Sequence, residues 1–258
     1  IKDNGVISMD NINGMIEFKN VSFSYVKNEK VIDDISFKVN SGETLAIVGP
    51  TGSGKTTITN LITKFYEYDK GEILIDGVDI NKIKLDNIRN KVGIILQDVF
   101  LFADTIFNNI TLYNDQISLK DVQRAAKKLE IHDFISSLPN GYNFNVSERG
   151  VTLSSGQRQL IAFLRVLVNN PDILILDEAT SSIDSYSEDL IKNATKKITK
   201  GKTSIIIAHR LSTIHREKTT SSPEKLNQIL NTFSKFELPI VLPIHPRTKN
   251  VLKKSGYN

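Results

Sequence analysis

Gly49-Pro50-Thr51-Gly52-Ser53-Gly54-Lys55-Thr56-Thr57 carries the strongest structural signal in the chain. It fits the phosphate-loop pattern G-x-x-x-x-G-K-[ST], which carries meaning when a strand leads into it and a helix leads out. Both are present: Glu43-Thr44-Leu45-Ala46-Ile47-Val48 is an apolar β-type run, and Ile58 to Phe65 carries a helical pattern. The glycines let the backbone wrap closely around phosphate oxygens, so that successive N–H groups and the following helix N-terminus face the anion. Lys55 is then placed to neutralise the outer phosphates of a nucleoside triphosphate, and Thr56 offers a hydroxyl to Mg²⁺.

A second apolar strand, Ile173-Leu174-Ile175-Leu176, ends in Asp177-Glu178. Asp177 at a strand end can hold the same Mg²⁺ directly or through water. Glu178 is the natural general base, because water attacking the outer phosphorus must lose a proton and a carboxylate there can accept it. Between these elements lies Leu153-Ser154-Ser155-Gly156-Gln157, at the head of the helical run Gln157 to Leu167.

With these three elements in order, residues 10–214 resemble the nucleotide-binding domain of an ATP-binding cassette (ABC) exporter. The resemblance implies ATP and Mg²⁺ as cofactors, held by Gly49, Thr51, Gly52, Ser53, Gly54, Lys55, Thr56 and Thr57. It implies that Tyr25, in Val21-Ser22-Phe23-Ser24-Tyr25, stacks on adenine; by itself this is an ordinary half-buried strand tyrosine. Gln97, ending Ile94-Ile95-Leu96-Gln97, matches the glutamine that senses Mg²⁺ and attacking water. His209, closing Ser204-Ile205-Ile206-Ile207-Ala208-His209, matches the histidine that contacts the γ-phosphate, although a lone histidine at a strand end is more often structural.

Ser154, Gly156 and Gln157 match the family signature that binds the nucleotide of the opposite subunit, with Ser155 where glycine is usual. Ser181-Ser182-Ile183-Asp184 resembles the loop that crosses the dimer interface, and Ser185 with Glu188 forms a capping-box pattern. Exporter character rests on Leu101 to Ile110 and on Val146-Ser147-Glu148-Arg149-Gly150. The partners implied are a second nucleotide-binding domain, identical or homologous, and an exporter's transmembrane domain, which puts the chain at the cytoplasmic face of the cell membrane. The implied activity is ATP hydrolysis that drives export. Alternatives are an ATP-binding fragment without turnover and a soluble cassette ATPase of DNA repair or translation.

At 258 residues, the chain is long enough for a full core and one or two domains. A net charge of +4 is mild, and the lysine clusters at 127–128, 196–197 and 200–202 read as solvated faces, so no nucleic-acid partner is expected. The absence of cysteine excludes disulfide and thiolate chemistry. No apolar run reaches the roughly eighteen residues that would suggest a bilayer span.

The alternation of elements predicts an α/β fold: a P-loop NTPase cassette with a mainly parallel sheet, N-terminal antiparallel strands and a helical subdomain over about 100–165. Strands are expected at Met15 to Tyr25, Val31 to Val39 and Gly71 to Asp76, and the clearest helix runs from Leu119 to Leu129 with Ser118 as its cap. Residues 1–13 read as a linker from a membrane domain that lies outside this chain. After Ile214 the expected last strands of the cassette give way to a short α/β tail, so the cassette is expected to be truncated. Residues 215–258, with His215-Arg216, Pro223-Glu224-Lys225-Leu226 and His245-Pro246-Arg247-Thr248, resemble part of the non-hydrolysing UDP-N-acetylglucosamine 2-epimerase family, which suggests a fusion; the alternative is a divergent end of the cassette, a βαβ-like unit packing against the sheet. Lys218 and Thr219 stand where that family has glutamate and asparagine, and residual epimerase activity is not expected.

Overall fold

A computed structural model describes residues 3–27, 29–49, 52–178, 185–208 and 240–241. The chain opens with two long antiparallel strands, β1 (Ile16–Val26) and β2 (Glu29–Val39), and then enters the short, apolar β3 (Thr44–Val48). Helix α1 (Lys55–Ile62) follows the phosphate loop, and β4 (Lys70–Ile75) and β5 (Val78–Asp79) form a hairpin. Next come α2 (Leu85–Lys91), β6 (Val92–Ile95), α3 (Ile106–Thr111), α4 (Leu119–Lys128), α5 (His132–Ser137) and α6 (Ser155–Asn169). The described chain closes with β7 (Ile173–Glu178), α7 (Ser185–Thr199), β8 (Thr203–Ala208) and β9 (Ile240–Val241).

Two sheets result. Strands β2-β1-β4-β5 form an antiparallel sheet, and β6-β7-β8-β3-β9 form a parallel one. The parallel strands are nearly continuous runs of isoleucine, leucine and valine because such strands are covered on both faces. One core packs the antiparallel sheet and α1 against β3, β7 and β8 through Phe18, Ile47, Ile58, Ile62 and Ile75. A second core lies between the helical region and the other side of the parallel sheet, around Leu101, Ile110, Val122, Phe163 and Leu176.

Local chemistry sets the helix ends. Ser118 caps α4 as expected, in a capping box with Asp121. Helix α6 ends where Asn170 turns left-handed, at φ +47° ahead of Pro171. Ser185 is the first helical residue of α7 rather than the residue before it, a difference within the usual latitude of helix boundaries.

The first thirteen residues are docked onto the domain over their described part. The backbone N–H groups of Val6 and Ile7 donate to the Lys82 carbonyl, Lys84 N–H donates to the Ile7 carbonyl, and Ile12 is buried. Asp76 receives the N–H groups of Asn13 (2.7 Å), Met15 (2.8 Å) and Gly14 (3.3 Å), which fixes the entry into β1. Of the tail, β9 is described, and it adds to the free edge of β3 with Ala46 beside Ile240 and Ile47 beside Val241. A strand of the tail thus takes an outer place in the parallel sheet, beside β3. Among the described residues, no helix is long and apolar enough to cross a membrane.

Candidate functional site

The strand register aligns the candidate groups. Val48, Glu178 and Ala208 lie at one level across β3, β7 and β8, with Asp177 opposite Ile207 one step below. On the other side of β7, Ile95 pairs with Leu176, so the chain that carries Gln97 leaves β6 at the same edge. The phosphate loop, the Asp177-Glu178 pair and the Gln97 segment therefore all emerge at the carboxyl end of the parallel sheet, the end at which β8 reaches Ala208 and where ligands of such sheets bind. Thr51, His209, the 181–184 loop and the Glu178 side chain fall outside the described residues.

Within the loop, Gly52 and Gly54 hold φ of +82° and +88°, conformations that side chains rarely adopt. At Gly54 an added Cβ would also stand 3.3 Å from the Val31 carbonyl oxygen. Gly54 is the N-cap of α1, and no side chain caps the helix, which leaves its first N–H groups facing the loop. Lys55 is buried and its Nζ donates to the Gly49 carbonyl oxygen at 2.9 Å. Burial lowers its pKa, and the nearby Asp177 carboxylate works against that shift. Asp177 is itself buried at the end of β7. The Ser53 hydroxyl is buried and has no hydrogen-bond partner among the described residues. Thr56 is exposed, whereas Thr57 is buried and its Oγ1 lies 3.1 Å from the Tyr25 hydroxyl.

These features fit a phosphate chain and a cation. A buried hydroxyl without a partner is costly unless a ligand completes it. The loop supplies donors and a lysine, and Thr56 with Asp177 supplies hard oxygens, the donor type that Mg²⁺ takes. Gln97, exposed just beyond β6, could add a further oxygen.

The Ser154 to Gln157 stretch opens α6 in a capping box: Ser154 Oγ accepts from Gln157 N–H at 3.2 Å, and Gln157 Oε1 accepts from Ser154 N–H at 2.9 Å. Ser154 is exposed, and its hydroxyl proton remains available to donate. Gly156 is buried in the first turn, and the Gln157 carboxamide is committed in part to holding the helix start.

Residues that the sequence did not single out tie this helix to the two exporter-like stretches. Arg158 donates to the Leu153 carbonyl at 2.5 Å and to that of Gly150 at 3.4 Å. Arg165 donates to the Asn109 carbonyl at 2.8 Å and to that of Phe100 at 3.4 Å. Val146 N–H donates to the Asp104 carbonyl and Ile106 N–H to that of Phe144, so the stretches 101–110 and 146–150 are laced side by side. Buried Asn109 organises the first of them: its carboxamide accepts from Phe102 N–H at 2.8 Å and donates to the carbonyls of Phe102 and Thr105, each at 3.0 Å. Phe100 and Phe102 stand out from it, exposed and stacked edge to face at 5.1 Å, and Leu96 and Val151 are exposed as well. The one signal for Asn109 was its place on the helical face of Ile106 and Ile110; the arginines had none.

Comparison with known proteins agrees with this geometry. The family model described as ABC transporter matches residues 32–181. The ATP-dependent lipid A-core flippase of Pseudomonas fluorescens is 47% identical over 83% of this chain and 36% of its own length. ABC transporter B family member 15 of Arabidopsis thaliana is 46% identical over 89% of this chain and 19% of its own. A solved structure, that of a bacterial Atm1-family ABC exporter with ATP bound, superposes with a TM-score of 0.72 at 42% identity, over 81% of this chain and 38% of that one. The chain spans about a third or less of the length of these curated relatives. None of the three is named as an epimerase, and the epimerase-like reading of 215–258 gains no support from them. The chain belongs to the ABC transporter family and comprises its ATP-binding, P-loop ATPase domain.

Proposed function

We propose that this domain is the motor of a membrane exporter: it binds MgATP, closes against a second nucleotide-binding domain and hydrolyses the nucleotide, which drives a transmembrane domain from the cytoplasmic face. The phosphate loop is the observation that carries this reading, with two left-handed glycines, buried Lys55 and a Ser53 hydroxyl lacking a partner among the described residues. In this reading Gly49, Thr51, Gly52, Ser53, Gly54, Lys55 and Thr57 hold the phosphates, and Thr56, Asp177 and Gln97 hold Mg²⁺, which would supply charge neutralisation there. Tyr25 receives the base. Glu178 takes the proton of the attacking water, and His209 meets the outer phosphate. Ser154 and Gly156, at the N-terminus of α6 with Gln157 holding that turn, reach the nucleotide of the opposite subunit.

Coupling to the membrane part runs through the Gln97 and Glu148 segments. The exposed apolar side chains of Leu96, Phe100, Phe102 and Val151, on stretches laced to each other and to α6 by Arg158 and Arg165, support that assignment. The relatives' export and flippase names point the same way. Which molecule is moved depends on parts beyond this domain.

Glu178→Gln tests the base. With MgATP it is expected to elute as an ATP-bound dimer and to lose at least a hundredfold of the hydrolysis rate, within the range typical of general-base catalysis. A variant that turns over as fast as wild type would overturn the assignment. The relation of 215–258 to an epimerase is a separate matter, checked by sequencing the coding DNA across the joint at 209–215: an exporter frame that continues uninterrupted there would mark the joint as artificial.

A further inference from the structure

We infer that Tyr66 is a positioning residue for the nucleotide base, acting by bracing the ring of Tyr25; the inference rests on the nucleotide reading of the site. Tyr25 sits near the end of β1, exposed, with its hydroxyl 3.1 Å from Thr57 Oγ1 and 3.4 Å from Asn60 Nδ2, both on α1. That contact ties the far end of the ring to the helix that begins in the phosphate loop. A hydroxyl contact leaves the ring plane free to swing about the line from Cβ to oxygen, so something else must set the plane.

Two rings do so. Phe23 meets Tyr25 edge to face at 4.8 Å and 87°, and Tyr66 meets it at 4.9 Å and 87°. Phe23 and Tyr66 are themselves 5.7 Å apart, far closer than two rings on opposite sides of Tyr25 would be. They therefore lie towards the same side of Tyr25, which stays 45% exposed, and a stacking platform needs a ring braced in this way and still accessible. Phe23 is buried in the core and serves the sheet in any case. Tyr66 lies in the turn between α1 and β4 and keeps 46% of its surface exposed, and the ring contacts that cover it are those with Tyr25 and Phe23. Lys64, at φ +52° with its Nζ on the Ile83 carbonyl, sets the course of that turn two residues earlier.

The experiment compares ATP with inorganic tripolyphosphate, which offers the phosphate loop the same charge pattern without a base. Both are titrated by calorimetry in Mg²⁺ against wild type, Tyr66→Phe and Tyr66→Leu. An edge-to-face pair corresponds to about a threefold to tenfold effect in an equilibrium constant. Tyr66→Leu is expected to weaken ATP by that factor while tripolyphosphate binds as in wild type. Tyr66→Phe keeps the ring and is expected to restore ATP. Equal weakening of both ligands would mean that Tyr66 supports the fold of α1 and would overturn the inference, as would ATP binding that Tyr66→Leu leaves unchanged. Wild type that binds tripolyphosphate and ATP equally would remove the base platform itself. Wild type that binds neither would defeat the nucleotide reading and this inference with it.

Discussion

Asn109→Ala should destabilise the domain well beyond what a small polar change on a six-residue helix suggests. The side chain is 1% exposed, accepts from the Phe102 N–H and donates to two carbonyls, all within 3.0 Å. Three such bonds at a net value of about 1 kcal/mol each give about 3 kcal/mol. Alanine leaves the Phe102 N–H and the two carbonyls without that partner, and water reaches part of the half-exposed Phe102, which brings the expected loss to about 2–3 kcal/mol. In a domain of this size each kcal/mol moves the melting temperature by about 2–4 °C, so the variant should melt roughly 5–10 °C early. Asn109→Asp is the control: it keeps the acceptor for Phe102 N–H but turns two donations into repulsions, and should be at least as damaging. Urea unfolding followed by circular dichroism measures both. An alanine variant within 0.5 kcal/mol of wild type, a margin typical of ordinary surface changes, would show that Asn109 does not hold this loop and that Arg165 and the Asp104 contacts do.

Two further outcomes follow from the same accounting. Asp76→Ala removes the acceptor for three N–H groups of the segment entering β1; with two of the bonds short and charge-assisted, a loss of about 2–3 kcal/mol is expected in the same unfolding assay, and a loss under 0.5 kcal/mol would contradict the anchoring role. Burial pushes the Tyr142 hydroxyl up to about 12. A folded-state pKa raised above the unfolded value of about 10 contributes stability that is full below pH ~10 and is lost as pH rises towards ~12. Tyr142→Phe should therefore flatten the alkaline limb of the stability profile in that window. Tyr68, held up to about 12 by burial and then by its hydrogen bond to Asp79, keeps its own share of that limb. An unchanged slope in Tyr142→Phe would contradict the assignment.

Much of the fold was legible because its elements carry their own signals. The phosphate loop named the strand before it and the helix after it, but α1 begins at Lys55 rather than at Ile58, where the apolar period starts. The first turn, Lys55 to Thr57, carries no apolar side chain, so periodicity is blind to it. Ser118 announced its helix through side-chain chemistry, and the capping box is there. What could not be read was long-range. Nothing local says that β3 lies between β8 and β9, or that a strand from 240–241 would occupy the sheet edge beside the phosphate-loop strand. Tyr66 and Arg165 were equally silent, because an aromatic in a turn and an arginine on a helix look like surface until their partners are placed. Lys55 and Asp177 were each singled out from chemistry, one for phosphate and the other for the cation, and the Asp177 carboxylate lies within electrostatic reach of the lysine.

The most direct test of the account is a thermal melt of the chain with and without MgATP, beside Lys55→Ala. With MgATP at about a hundred times its dissociation constant, wild type should gain roughly 2.7 kcal/mol, seen as a rise of several degrees, and Lys55→Ala should gain nothing. A wild type whose melting temperature does not move, or a Lys55→Ala variant that rises equally, would contradict the claim that this loop binds nucleotide.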